Sequence, residues 1–186
     1  MLFPGSHLPL RIFEPRYIDM VRECSAKGSC FGVCLVNDSE KTNRPATHLR
    51  VGTTASIYDF STLDDGLLGI AARGEEKFLI QTTSMRDNGL LMAEVETLSD
   101  TGPLELPEEY SVLSLIAGRF MEQLGANYPD FQPQQLQDAY WVGYRLSELL
   151  PLENNEKQTL LQITDPLDRL LVLLEVLPRF QGPTDL

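Results

Sequence analysis

The sequence predicts an α+β chain in which a β-rich first part, residues 1–103, precedes a helical second part, residues 104–186. Two observations lead there. Up to Ser99-Asp100-Thr101-Gly102-Pro103, short runs of β-favouring residues alternate with turn signals. Beyond it, apolar residues recur at the three-and-four spacing of a helix face.

Leu2-Phe3-Pro4-Gly5 approaches a turn in which Pro4 presets φ and Gly5 is free to take a positive value. His7 to Phe13 reads as a short strand rich in Leu and Ile. Glu14-Pro15-Arg16 then opens a helix that runs to Lys27, because Pro suits the first helical position and Glu14 sets negative charge beside the unpaired N–H groups. Gly28 is its stop. Strands are expected at Cys30 to Asn37, His48 to Phe60, Leu67 to Arg73, Lys77 to Ser84 and Leu90 to Leu98, with turns at Asp64-Asp65-Gly66, Arg73-Gly74 and Asn88-Gly89. Together they describe a twisted sheet or small barrel with one helix laid across it. Asp38 to Thr47 has no apolar anchor but Pro45 and Ala46, and reads as a mobile loop.

In the second part, Tyr110, Leu113, Ala117, Phe120 and Leu124 form one stripe, capped by Gly125, and Leu136, Ala139, Tyr140, Gly143, Leu146 and Leu150 form another that ends before Pro151. Two shorter helices follow, at about Glu153 to Ile163 and Asp165 to Leu177. Asp165-Pro166 is an N-cap followed by Pro at the first position, and Pro178 is a stop. The last helix carries Leu167, Leu170, Leu171, Leu174 and Leu177 on one side and Val172, Leu173 and Val176 on the other, which predicts cover from more than one direction.

The opening run from Leu2 to Met20 resembles the start of the Lon substrate-binding domain, in the free-standing bacterial form called Lon-like or peptidase S16-like. The resemblance continues through Gly32-Val33-Cys34-Leu35-Val36, Val51-Gly52-Thr53 and Asp65 to Gly74, and resumes at Glu156 to Leu161 and Asp165 to Leu171. It thus covers nearly the whole chain, and it implies a PUA-like β pseudo-barrel followed by a small helical bundle. One departure shows at the front. Family members usually carry a further strand of the type polar-Pro-Leu-Phe-Pro-Leu before the turn, whereas Met1 here stands almost directly on it.

The net charge of −12 is unevenly spread: residues 1–103 hold 10 basic and 14 acidic residues, and residues 104–186 hold 5 and 13. Such a surface repels phosphate, so nucleic acid is a poor partner even though PUA-like folds often bind RNA. Basic or neutral partners are favoured. No run reaches the roughly 18 apolar residues of a membrane span, and Pro4 and Gly5 stand where a signal peptide needs a basic start and an apolar core. The expected location is cytoplasmic, with no membrane partner. Asn37-Asp38-Ser39 is then a chance match to the glycosylation motif.

Chemistry is conspicuous for what it lacks. A Lon ATPase needs GxxxxGK[ST] to cradle phosphates, and the dipeptide Gly-Lys occurs nowhere. No segment matches the protease's Ser–Lys dyad, so a peptidase S16 label would record kinship alone. His7 and His48 are the only histidines, with no GxSxG or HExxH motif around them. Cys24, Cys30 and Cys34 form no C-x-x-C, and Cys30 and Cys34 read as small hydrophobes on one strand face. Asp64-Asp65, Glu75-Glu76 and Glu108-Glu109 sit at turns or helix starts, where carboxylates are solvated or favour the helix dipole. No catalytic residue, metal or cofactor is therefore assigned.

Binding is the remaining function. The resemblance implies a non-enzymatic module that recruits unfolded or extended polypeptide, with a protease or chaperone as a further partner. An exposed sheet edge or a groove between the β and helical parts would supply the contacts. Arg11, Arg16, Tyr17, Tyr58 and Phe60 are the candidate peptide-binding residues; packing is the competing role of the aromatic ones. The alternative function is an enzyme or small-ligand protein with a pocket at the junction of the two parts. The sequence leaves the oligomeric state open.

Overall fold

A computed structural model describes residues 1–37 and 47–180 of the chain. The fold is α+β, and it divides into two compact units, Met1–Leu98 and Ser99–Leu186.

The β-rich unit holds β1 (His7–Ile12), α1 (Pro15–Lys27), β2 (Phe31–Asn37), β3 (Thr47–Thr62), β4 (Leu68–Met85) and β5 (Leu91–Leu98). Glycine and proline set most of its boundaries. Gly5, Gly28, Gly66 and Gly89 all take positive φ, where side chains are disfavoured, and Pro15 opens α1. Glu14 stands at the N-cap position of α1 in extended backbone, with no side-chain cap bond, so its role there is one of charge. The loop expected from Asp38 to Thr47 lies outside the described residues, except for the backbone of Thr47, which opens β3.

One sequence expectation fails instructively. Leu67 to Arg73 and Lys77 to Ser84 are not two strands separated by a turn at Arg73-Gly74, since a single strand of 18 residues runs through both. Gly74 is present for close approach: its N–H donates to Ser6 O at 2.9 Å and its carbonyl accepts from Gly5 at 2.7 Å. A Cβ there would collide with the main chain of Phe3. The buried Thr53 hydroxyl donates to Leu2 O at 2.7 Å, fixing the same N-terminal segment from β3.

All strand pairs are antiparallel. β2, β3, β4 and β5 form a meander, while β1 joins β4 out of sequence, with His7 opposite Arg73 and Ile12 opposite Leu68. β1 and β5 thus occupy successive stretches of β4, and β3 pairs with it along Leu68–Leu79. Among the described residues no pairing joins β2 to β1 or β5, so the pseudo-barrel is an open ladder covered by α1. Val21 and Cys24 of α1 pack with Ile12, Ala55, Ile70 and Ala72 of the sheet to form the core.

The helical unit contains α2 (Ser111–Leu124), α3 (Ala139–Leu149), α4 (Asn154–Gln162) and α5 (Pro166–Val176), with short 3-10 turns before and between them and a last one at Leu177–Phe180. Gly125 does not cap α2 in the left-handed region. Its φ of −53° continues the chain into a 3-10 turn. Asp138 and Asp165 do cap as expected of such residues, accepting from Tyr140 N at 3.0 Å and Leu167 N at 2.8 Å. The α5 helix ends at Val176, two residues before Pro178, and the chain passes through that proline in the last 3-10 turn.

At the centre of this unit lies Arg169, fully buried. Its guanidinium stacks on the Tyr144 ring at 3.8 Å, donates from Nη2 to the Tyr144 hydroxyl at 2.9 Å and to Ile163 O, and donates from Nε to Leu160 O at 3.2 Å. Tyr144 in turn donates to Asp100 Oδ2 at 2.7 Å, and Asp100 Oδ1 lies 3.6 Å from Arg169 Nη2. Asp100 therefore belongs with the helices although it precedes the expected boundary at Pro103. Gly143 leaves room for Arg169, whose Cδ would stand 3.2 Å from a Cβ there. Burial also sets which leucines matter: Leu170 and Leu173 are inaccessible, Leu177 nearly so, and Leu171 is 50% exposed. The expected stripe through Leu171 is displaced because Arg169, a residue absent from any apolar count, takes a core position.

Leu173→Ala should destabilise the helical unit by about 2–5 kcal/mol, whereas Leu171→Ala should be nearly neutral, read from denaturant midpoints of the two variants. Burial raises three tyrosines, with Tyr128 and Tyr140 pushed up to about 12 and Tyr144 also raised. The folded state holds these protons above pH 10, where an unfolded chain releases them, so stability should fall as pH rises from 10 through 12. Tyrosinate absorbance followed beside circular dichroism checks this: ionisation of these tyrosines should coincide with loss of helix.

Candidate functional site

Helix α1 uses three sides of its circumference. Val21 and Cys24 enter the core. Arg16, Asp19 and Glu23, at spacings that align them on a helix, hold the turn between β4 and β5. Arg16 Nη1 donates to Gly89 O at 3.1 Å, Asn88 Nδ2 donates to Asp19 Oδ2 at 3.5 Å, and Arg86 Nη1 donates to Glu23 Oε1 at 2.7 Å. The Arg86 guanidinium holds the Glu23 carboxyl below its usual range, and Glu23 raises Arg86 in return.

The third side forms an open groove of about 410 Å³. Ile18, Val21, Arg22, Ser25 and Ala26 of α1 line it from one flank, with Val21 at the margin shared with the core, and Phe60 of β3 and Leu68 of β4 line it from the other. Phe60 is 48% exposed, so a large aromatic face is offered to solvent at the rim. Arg22 is drawn toward Asp19 at 3.2 Å, leaving most of the lining apolar. Such a groove can take apolar side chains and offers no paired acid and base around a reacting atom.

The five candidate residues do not converge. Phe60 alone lines the groove. Arg16 ion-pairs with Glu14 at 2.7 Å, tethers Gly89, and lies over the half-exposed Tyr17 ring at 4.7 Å, so these two belong to the helix entrance. A register shift between Ile57 and Asp59 reverses the expected alternation. Tyr58 therefore faces His7, with its hydroxyl 3.0 Å from Nδ1 and the rings edge to face, while Phe60 sits opposite the buried Ile70 on the other side of the sheet. Arg11 pairs with Asp65 on the exposed surface. Sequence reasoning missed Ile18, Val21, Arg22, Ser25, Ala26 and Leu68, although the three-and-four spacing within α1 marks its members as one face.

The histidines and thiols have local roles. His7 meets Tyr58, and His48 lies opposite Val36 in the β2–β3 ladder. Cys30 precedes β2 and is exposed, so it does not share a strand face with the half-buried Cys34. Burial raises both thiols, with Glu75 and Glu76 adding to the effect at Cys30, which disfavours the thiolate. Among the described residues no group of three His, Cys, Asp or Glu side chains is placed to hold a metal, and no helix is long and apolar enough to cross a membrane.

Comparison with known proteins supplies kinship. A Lon N-terminal domain protein from Xanthomonas campestris, solved by crystallography, is 38% identical and superposes with a TM-score of 0.78 over 94% of this chain and 92% of that one. A LON peptidase N-terminal domain and RING finger protein from Schizosaccharomyces pombe is 26% identical over 97% of this chain and 44% of its own length. The Lon protease of Cytophaga hutchinsonii is 26% identical over 96% of this chain and 23% of its own. The chain thus spans less than half of these two longer relatives. The family model described as the ATP-dependent protease La (LON) substrate-binding domain matches residues 1–179, and the chain belongs to that family.

Proposed function

We propose that this chain is a non-enzymatic polypeptide-binding module that receives apolar side chains of unfolded or extended clients in the groove beside α1. The observation that carries the reading is the half-exposed Phe60 at the rim of an open, largely apolar groove. A large aromatic side chain half-exposed beside an apolar groove supplies the kind of contact that an apolar client side chain needs. Membership of a substrate-binding family supports the same conclusion, and a protease or chaperone that takes over the client is the partner it suggests. The net charge of −12 favours clients that are basic or neutral.

A fluorescently labelled, chemically unfolded client should bind the intact chain, and its native form should not. Phe60→Ser should weaken that binding by about tenfold or more while leaving the circular dichroism spectrum unchanged, since the residue it replaces is a half-exposed aromatic anchor. Added salt should reduce the preference for basic clients without abolishing binding, because screening acts on exposed charges and not on apolar contact. Stoichiometric binding of one small metabolite, with no affinity for unfolded chains, would replace this reading. The chain should also show no ATPase or casein-degrading activity above background through successive purification steps, as expected from the missing Gly-Lys of a phosphate loop.

A further inference from the structure

Three strands, β1, β2 and β5, are paired on one side only among the described residues. An edge strand presents unpaired N–H and C=O groups, and folded proteins blunt such edges with proline, bulges or charged side chains, lysine above all. β1 contains Pro9, which has no N–H to offer, and the β2 ladder is broken by a register shift between Cys34 and Val36. β5 has no proline and no bulge of its own, and its only guard is the negative charge of Glu94 and Glu96, which repels acidic strands and attracts basic ones. Each of its residues from Leu91 to Leu98 is paired in turn with β4, the one irregularity falls on the β4 side at Gln81, and the strand holds no Pro, Gly, Lys or Arg.

Its side chains are widely exposed. Leu91 is 47% exposed, Met92 36% and Val95 45%, and every residue from Leu91 to Thr97 is open to solvent. Strand alternation sets Leu91, Ala93 and Val95 on one face and Met92, Glu94 and Glu96 on the other. Glu94 accepts from the Thr82 hydroxyl at 2.9 Å, and Glu96 from Gln81 Nε2 at 2.8 Å. Each carboxylate is thereby fixed by one oxygen on the β4 side of the strand, the two lie about 7 Å apart, and neither meets a cation among the described residues.

We propose that β5 is a strand-addition edge for an extended polypeptide in which basic residues alternate with apolar ones. The inference rests on the polypeptide-binding reading above and adds to it a second surface and a sequence preference. An incoming strand would complete the main-chain ladder. Its residues at every second position would lie beside Glu94 and Glu96, and the intervening ones beside Leu91, Ala93 and Val95. Opposite charges at neighbouring strand positions attract, and like charges repel. The same rule disfavours a second copy of this chain, because two β5 strands side by side would bring their carboxylates together.

The test uses the full chain and a fluorescein-labelled ten-residue peptide of alternating Val and Lys. Anisotropy should show binding of this peptide and not of its Val and Glu counterpart. The double variant Glu94→Lys with Glu96→Lys should lose about tenfold in affinity for the Lys peptide and gain affinity for the Glu peptide, the scale expected of two exposed charge pairs. Peptides N-methylated at alternate residues separate strand addition from side-chain contact. Methylation along one edge should abolish binding, methylation along the other should not, and β5 amides should gain hydrogen-exchange protection. Equal binding of both methylated peptides, or of the Lys peptide to the double variant, would overturn the edge. If that variant still binds an unfolded client through the groove, the polypeptide-binding reading survives the loss. Failure of every peptide and client overturns both. Concentration-dependent dimerisation that protects β5 amides in the absence of peptide assigns the edge to a second copy and overturns the proposal.

Discussion

The β-rich unit depends on the uninterrupted course of β4. Three strands bond to this one: β3 along one side, and β1 and β5 in succession along the other. The change from β1 to β5 happens around Gly74, where the N-terminal segment crosses with two main-chain hydrogen bonds and no space for a side chain. A real turn at this point would divide the sheet into two small pieces, neither with enough strands to bury α1. The surfaces discussed above follow from that single path. β1 and the first half of β4 position α1 and its groove, and the second half of β4 carries β5 outward to solvent on both faces.

The helical unit is organised differently, around a charge. Arg169 is expensive to bury, and it is tolerated because a ring face, two carbonyls, a hydroxyl and the Asp100 carboxylate surround it. Losing one of these partners would leave the others with unmet hydrogen-bonding capacity in a dry interior. The cluster ties Asp100, α3, the end of α4 and α5 together through directional bonds, where leucine packing alone would leave the helices freer to slide.

Much of this was legible in the sequence wherever the cause is local. Pro15 and Gly28 bound a helix by backbone geometry, and Asp165-Pro166 does so by capping, so neither needs a tertiary partner to be read. The failures are places where a distant contact decides. Gly74 looks like a turn residue until Phe3 is known to press against it. Leu171 looks like core until Arg169 is known to occupy the interior. Tyr58 and Phe60 look like neighbours on one face, which strict alternation would make them, but a single extra residue in β3 separates them to opposite sides. The candidate site was therefore legible only at Phe60, since the remainder of the groove depends on which side of α1 faces the sheet.

The out-of-sequence pairing of β1 with β4 bears on how the chain comes into being. Each step of the β2–β5 meander pairs neighbours in sequence, so those hairpins close over short loops. The partner of His7 is Arg73, and β1, made before β4, lacks this partner strand until β4 has left the ribosome. For that interval β1 and the apolar side of α1 are unsheltered. A nascent chain of this kind displays, for a while, the sort of surface that the finished module is proposed to recognise in others.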